Sequence, residues 1–264
     1  MSTRTKQTSV ALNSDIGESF GNWTVDDEAI LSTVSDANIA CGFHAGDPDT
    51  IARTCQLSAQ YGLGVGAHVG YHDLRGFGRR YIAVPQETLT NDILYQIGAL
   101  DAFVTAAGAG TTSYVKPHGA LYHSANRHDD HAQAVVNAVL AFDRGLSLLC
   151  QAGSLLAKKA ESVGIEVVAE GFMDRTYNPD GTLVPRGAPG AVISDPSLAA
   201  EQAVQMVTEQ TVTAVDGTVV PMPIHSLCVH SDSPGAIELA RAVRSALENS
   251  GVAIVSATAT KVRQ

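Results

Sequence analysis

Histidines and carboxylates recur in this chain at one kind of place, at the end of a short apolar run. Asp15 and Glu18 follow Ser9 to Leu12, His44 follows Ile39 to Cys41, and His68 closes the run from Leu63 to Val69. Lys116 and His118 end the run that begins at Ser113, Glu170 and Asp174 follow Ile165 to Ala169, and His230 and Asp232 follow Ser226. A single Asp or Glu in such a place is ordinary, because carboxylates favour loops and helix starts. Four of nine histidines there is harder to dismiss, since imidazole carries protons or binds metal near neutral pH. One carboxylate with two imidazoles, Asp15, His44 and His118, has the donor types of an open divalent-metal site. The rival is an acid–base cluster. Lys116 would repel a cation if it faced the same way as His118, although strand alternation could turn it toward a substrate.

The elements that must position these groups repeat as strand, polar loop, helix. The run Asn38 to Asp47 shows the unit: an apolar stretch stops at Gly42, His44 follows, and Asp47-Pro48 opens a helical pattern with a capping carboxylate and a proline at the first turn. That helix is expected from Pro48 to about Tyr61. Others are expected from Pro85 to about Ala107, from His131 to Phe142, up to Gly164, after Asp195-Pro196 and after Ser233-Pro234. Thr24 and Asp27 resemble a capping box for the first helix. Asn13-Ser-Asp15-Ile-Gly17-Glu18 reads as a loop, Gly70 to Arg80 as a mobile lid, residues 173 to 194 as a long loop, and 211 to 224 as an insertion or hairpin around Asp216-Gly217. About seven such units call for parallel strands with helical crossovers, and a closed or nearly closed barrel fits best. The strand ends then converge at one mouth. An open doubly wound sheet is the alternative, but no G-x-G-x-x-G or P-loop follows any strand.

At 264 residues the chain has the length of one α/β barrel, read here as a short flexible leader, 1–8, and a single domain, 9–264. No apolar run is long enough to span a membrane and the first residues lack a signal-peptide core, so the cytoplasm is the default compartment. A net charge of −10 argues against nucleic acid or an anionic membrane as partner. Six of the 17 cationic residues, Arg75, Arg79, Arg80, Lys116, Arg175 and Arg186, nevertheless fall in strand-end loops, which suggests a local site for a carboxylate or phosphate. Cys41, Cys55, Cys150 and Cys228 form no C-x-x-C pair and are expected to be buried free thiols.

Asn13 to Glu18, Asn38 to Asp47, Gly66-Ala-His68, Gly76-Phe-Gly-Arg-Arg80, Val115 to Tyr122, Glu170 to Arg175, Leu183-Val-Pro-Arg186 and Cys228-Val-His230, in this order, resemble the motifs of the LamB/YcsF family. The likeness runs over roughly residues 9 to 256, with departures at Val69, His72-Asp73, Met173 and Ser231. It implies an α/β fold, an incomplete (β/α)7 TIM-like barrel similar to the glycoside hydrolase/deacetylase superfamily. It also implies the A subunit of an ATP-dependent 5-oxoprolinase, which works with B and C subunits to open the lactam 5-oxo-L-proline to L-glutamate, with ATP as co-substrate. On that reading Asp15, His44, Lys116, His118 and Glu170 are the expected catalytic groups. Asn13, Glu18, Asn38, His68, Arg79, Arg80, Asp174, Arg186 and His230 are the expected substrate contacts, and Asp15, His44 and His118 the candidate metal ligands. A stand-alone metal-dependent amide hydrolase of deacetylase type, or a non-catalytic substrate-binding subunit, are the alternatives.

Overall fold

The computed structural model describes residues 9–259 except 22, 24–26 and 230–234. The expected leader, Thr24 of the expected capping box, and His230, Ser231 and Asp232 therefore lie outside the described residues. In chain order the elements are β1 (Ser9–Ile16), α1 (Glu28–Leu31), β2 (Asp36–Ala40), α2 (Pro48–Tyr61), β3 (Gly64–Val69), a 3-10 turn (Leu74–Gly76), α3 (Gln86–Ala106), β4 (Tyr114–Pro117), α4 (Gly119–Ala125), α5 (Asp129–Phe142), β5 (Ser147–Gln151), α6 (Leu155–Ser162), β6 (Val167–Phe172), α7 (Pro196–Thr208), β7 (Thr211–Thr213), β8 (Val219–Pro221), β9 (Ser226–Val229), α8 (Ala236–Asn249) and β10 (Ala253–Ile254).

Among the described residues, seven parallel strands form a ring in the order β1-β2-β3-β4-β5-β6-β9. The ring closes because β9 pairs with both β6 and β1, with Ser226 opposite Glu170 on one side and Ala11 on the other. This is the expected barrel with one strand fewer than the eight of a TIM barrel. β10 pairs only with the start of β1, and β7 and β8 form the antiparallel hairpin expected around Asp216-Gly217.

Local signals account for several helices. α2 starts at Asp47, whose side chain accepts from Thr50 N at 2.8 Å, with Pro48 at its first position, and ends at Gly62 in the left-handed region. α7 repeats this start with Asp195 and Pro196. α1 is a single turn, and Asp27 does not cap it: its carboxylate accepts from Gly17 N at 2.7 Å, tying the start of α1 to the turn after β1. α4 was not expected, because its seven residues, about two turns, follow directly on a stretch that reads as a polar loop.

Alternation along the strands separates two interiors. Outward side chains such as Leu12, Ile16, Ile39, Val65, Ala67 and Val115 pack with the helices in the main core. Inward, Ala11, Tyr114, Leu149 and Val168 form a small apolar layer. Above it, toward the C-terminal strand ends, stand Asn13, Asp15, Asn38, His68, Lys116, Glu170 and Cys228. Tyr114 separates the layers: its ring lies where a side chain at Gly66 would be, since a Cβ there would come within 2.1 Å of the ring, and its hydroxyl donates to Asn38 Oδ1 at 2.6 Å. Asn13 and Asp15 thus belong to β1 and not to a loop, as Glu170 belongs to β6; the ladder of β1 with β2 continues through Ile16. None of the helices described is long and apolar enough to cross a membrane.

Candidate active site

Two connected groups fill the barrel mouth. The deeper one is organised by Lys116, whose ammonium donates to Asp15 Oδ1 at 2.8 Å and Asn13 Oδ1 at 3.1 Å, and stands 3.0 Å from Glu170 Oε1 and 3.3 Å from Cys228 Sγ. Asn38 Nδ2 donates to Asn13 Oδ1 at 2.8 Å and to Asp15 Oδ1 at 2.7 Å, and Asn13 Nδ2 donates to Ser226 Oγ at 2.8 Å. Burial favours neutral Asp15 and neutral Lys116, but mutual attraction wins. His68 and Lys116 hold Asp15 well below the usual carboxylate range, and Asp15, Cys228 and Glu170 hold Lys116 well above its usual value. Its three hydrogen bonds go to Asp15, Asn13 and Cys228 Sγ, with Glu170 as a further ion-pair partner. Lys116, expected to be catalytic, is therefore placed to position the carboxylates.

The second group is Glu18, His44, His68 and His118, whose ligand-type atoms all lie within 4.8 Å of one another and which could hold a metal ion. Glu18 Oε1 stands 3.4 Å from His44 Nε2, 3.5 Å from His118 Nδ1 and 4.0 Å from His68 Nε2. His118 Nδ1 and His68 Nε2 are 2.9 Å apart, while the other ring nitrogens meet backbone carbonyls, His118 Nε2 at Phe77 O (2.8 Å) and His68 Nδ1 at Lys116 O (3.1 Å). Burial, reinforced by the neighbouring imidazoles, holds His44 and His118 well below the usual histidine value.

This set departs from the triad expected from sequence. Glu18 and His68 join it and Asp15 is not among its members, its Oδ1 bonded to Lys116 and Asn38 and its Oδ2 3.3 Å from His68 Nε2. His44 is near but stacks flat on His118, with centroids 3.8 Å apart and planes 5° from parallel.

The expected lid is folded onto the histidines. Asp73 accepts from Gly76 N at 3.0 Å and from the Arg80 guanidinium, including Nε at 3.1 Å. Gly78 has φ +61 and no room for a side chain, since a Cβ would lie 2.7 Å from both His44 Cβ and His118 Cδ2. Its carbonyl accepts from Ala120 N at 2.9 Å, which fastens the loop to α4. Phe77 stacks with Trp23, and Arg79 lies over the Phe77 ring at 5.2 Å. Arg79, Arg80 and Arg186 are all exposed, and Arg80 is bonded to Asp73 within the loop. Asp174 is buried near β6. Arg175, counted among the cations of a possible anion site, is turned inward instead: it donates to Val184 O at 2.6 Å and Ala191 O at 3.2 Å and so fixes the 173–194 loop.

Three residues that support the site were not singled out from sequence. Gln96 exchanges hydrogen bonds of 2.9 and 3.0 Å with the backbone of Gly70, beyond the end of β3. A polar residue next to Ile97 on an apolar helix face was the signal. Tyr114 and Tyr122 are the others. Tyr122 reaches the site from α4, where burial and Glu170 push its hydroxyl well above the usual phenol value. The four cysteines are free and buried as expected, and burial pushes the Cys41 thiol up, which argues against a nucleophile.

The comparisons with known proteins agree over nearly the whole length. The chain is 50% identical over 246 residues to the 5-oxoprolinase A subunit of Kocuria rhizophila, covering 93% of this chain and 97% of that one. It is 52% identical to the protein of the same name from Mycobacterium avium, with the same coverage. The crystal structure of the lactam utilization protein from Thermus thermophilus superposes with a TM-score of 0.90 at 46% identity, covering 94% of this chain and 99% of that one. A solved protein of Enterococcus faecalis, 10% identical with a TM-score of 0.55 over 96% of this chain and 98% of its own, shares the fold alone. The LamB/YcsF family model matches residues 10–262, and the chain belongs to that family.

Proposed function

We propose that this chain is the A subunit of a 5-oxoprolinase and that its barrel mouth takes the lactam 5-oxo-L-proline, opened to L-glutamate with consumption of ATP. The observation that carries the reading is the pair of full-length relatives, 50 and 52% identical, that bear this name. The polar mouth supports it. A lactam resists water through amide resonance. Attack of its carbonyl oxygen on the γ-phosphorus of ATP, with ADP leaving, makes the ring carbon electrophilic. Water then adds to that carbon and the ring C–N bond breaks. The nitrogen takes up a proton, leaving an acyl phosphate that a second water hydrolyses to the carboxylate and inorganic phosphate.

Neutral His44, buried beside the ionised Asp15, suits the proton transfers in these steps. Lys116 keeps Asp15 ionised and stands 3.0 Å from Glu170 Oε1. The exposed Arg79 and Arg186 are the groups to meet the substrate carboxylate or a phosphate. The chain works in the cytoplasm with B and C subunits, and ATP is its co-substrate, bound by one of the three.

The test is ring opening by the purified chain and by the chain co-purified with both partner subunits, each with and without ATP. Product from the assembly only, and only with ATP, is expected. Ring opening by the isolated chain without ATP would favour the stand-alone amide hydrolase, and an inactive, intact assembly would remove the lactam reading.

A further inference from the structure

The two histidines that face each other across the mouth have their protons assigned by their surroundings. A carbonyl oxygen can only accept. His118 Nε2, 2.8 Å from Phe77 O, and His68 Nδ1, 3.1 Å from Lys116 O, must therefore each carry a hydrogen. In neutral rings the remaining nitrogens, His118 Nδ1 and His68 Nε2, then present lone pairs to each other at 2.9 Å. That contact is repulsive unless a cation lies between them. Around the same point stand Glu18 Oε1, 3.5 Å from one nitrogen and 4.0 Å from the other, and Asp15 Oδ2, 3.3 Å from His68 Nε2.

We propose that His68 Nε2, His118 Nδ1 and Glu18 Oε1 hold one divalent transition-metal ion, zinc by preference for this nitrogen and oxygen set, with at least one position left open. Ligands about 2.0–2.1 Å from such an ion lie roughly 2.9 Å apart at a right angle and roughly 3.4 Å apart in a tetrahedron. The His–His and His118–Glu18 separations of 2.9 and 3.5 Å meet this, and a small turn of the Glu18 side chain brings in the 4.0 Å separation. Both imidazoles donate their other N–H to a backbone carbonyl, the arrangement that orients histidine ligands and raises their basicity. His44 is excluded as a ligand. Its ring lies parallel to that of His118, so its in-plane lone pair runs beside the ion and not toward it. Asp15 is drawn away by Lys116 and Asn38, at 2.8 and 2.7 Å from its Oδ1. When bound, the ion supplies a Lewis acid for a carbonyl or phosphoryl oxygen.

The assignment does not depend on the lactam reading, and its test needs no activity. The chain, stripped with a chelator and dialysed against Zn2+ or Co2+, is analysed for metal, and the cobalt form is read by its visible absorption. One ion per chain is expected, with stoichiometry kept in His44→Ala and affinity at least about tenfold weaker in Glu18→Gln and His68→Ala. No ion above the level bound by a folded His68→Ala/His118→Ala double variant would overturn the proposal, as would loss of the ion in folded His44→Ala alone. Should the double variant not fold, side-chain nitrogen NMR of the unmodified chain decides. Zinc shifts of His68 Nε2 and His118 Nδ1 support the site. A proton that remains shared between those two atoms with zinc in excess overturns it.

Discussion

The two ends of the barrel each hold an aspartate of the strand layer, Asp36 fully buried and Asp15 half-buried, and they treat it in opposite ways. At the N-terminal end Asp36 opens β2 and, among the described residues, is met by neutral donors: Ser35 Oγ at 2.7 Å, Ser256 Oγ at 2.8 Å and Ala257 N at 2.9 Å. These bonds staple the segment after β10 to the barrel floor. Burial outweighs them and pushes the Asp36 carboxyl up to about 6. At the mouth Asp15 is also in a desolvated place, yet His68 and the Lys116 ammonium hold it well below the usual range. Neutral donors satisfy geometry; only a charge partner offsets the cost of burying a charge. The floor is built to stay closed, whereas the mouth keeps several ionised groups in one small space, an arrangement that stability alone does not call for.

The largest expected effect comes from removing that charge partner. Lys116→Met leaves Asp15 and Glu170 without their cation and should cost about 3–5 kcal/mol in denaturant unfolding, as breaking a buried ion network does. A loss below roughly 1 kcal/mol, the scale of an exposed pair, would place these charges in solvent and undo the contrast.

Asp36→Ala is expected to cost less, about 1–3 kcal/mol, by stranding the donors of the floor, with ring opening by the assembly unchanged in kcat and KM. A changed kcat with intact stability would make the floor part of the site.

The contrast sharpens with pH. The folded Asp36 carboxyl, at about 6 against an ordinary 3.8, binds its proton more tightly than in the unfolded chain. Its contribution is therefore complete below the ordinary value and is lost as pH rises through 6. Asp15 has the opposite sign, contributing above the ordinary value and losing that contribution as acid is added. The stability of the native chain relative to Asp36→Asn should fall by roughly 1.4 kcal/mol per pH unit between about pH 4 and 6. A difference that is flat in this window would show that Asp36 does not titrate there.

The smallest effects belong to the lid arginines. Arg80→Ala should leave the unfolding midpoint unchanged while exposing the 73–80 loop to faster limited proteolysis, because Arg80 bonds Asp73. Arg79→Ala should instead raise KM for the lactam with the loop intact. Equal effects of the two on proteolysis would return both to a structural role.

Much of the frame was legible in the sequence because its signals are local. Asp47-Pro48 and Asp195-Pro196 cap helices within one turn, Asp216-Gly217 makes a hairpin, and the apolar runs of seven strands recur at a steady period. The motifs of the family lie in order along the chain, and among their described residues Asn13, Asp15, Glu18, Asn38, His44, His68, Lys116, His118, Glu170 and Cys228 meet at the mouth. The roles of those residues were less legible. Asn13 and Asp15 read as loop because polar residues interrupt the apolar run, yet in a barrel an inward strand position at the mouth can be polar when its partners are.

What the sequence by itself determined is the repeated unit, the starts of the capped helices α2 and α7 and the set of chemically capable side chains, since each follows from residues a few positions apart. Only the tertiary structure decided which of them act together. Lys116 meets Asp15 across 101 residues and Cys228 across 112, and Asn13 meets Ser226 across 213. Which carboxylate faces the histidines turned on these meetings: Lys116 and Asn38 take an oxygen of Asp15, Gly17 turns Glu18 inward, and two backbone carbonyls fix which nitrogens of His68 and His118 look at each other. Those choices depend on ring closure and strand register, which place partners at ångström distances that no local pattern encodes.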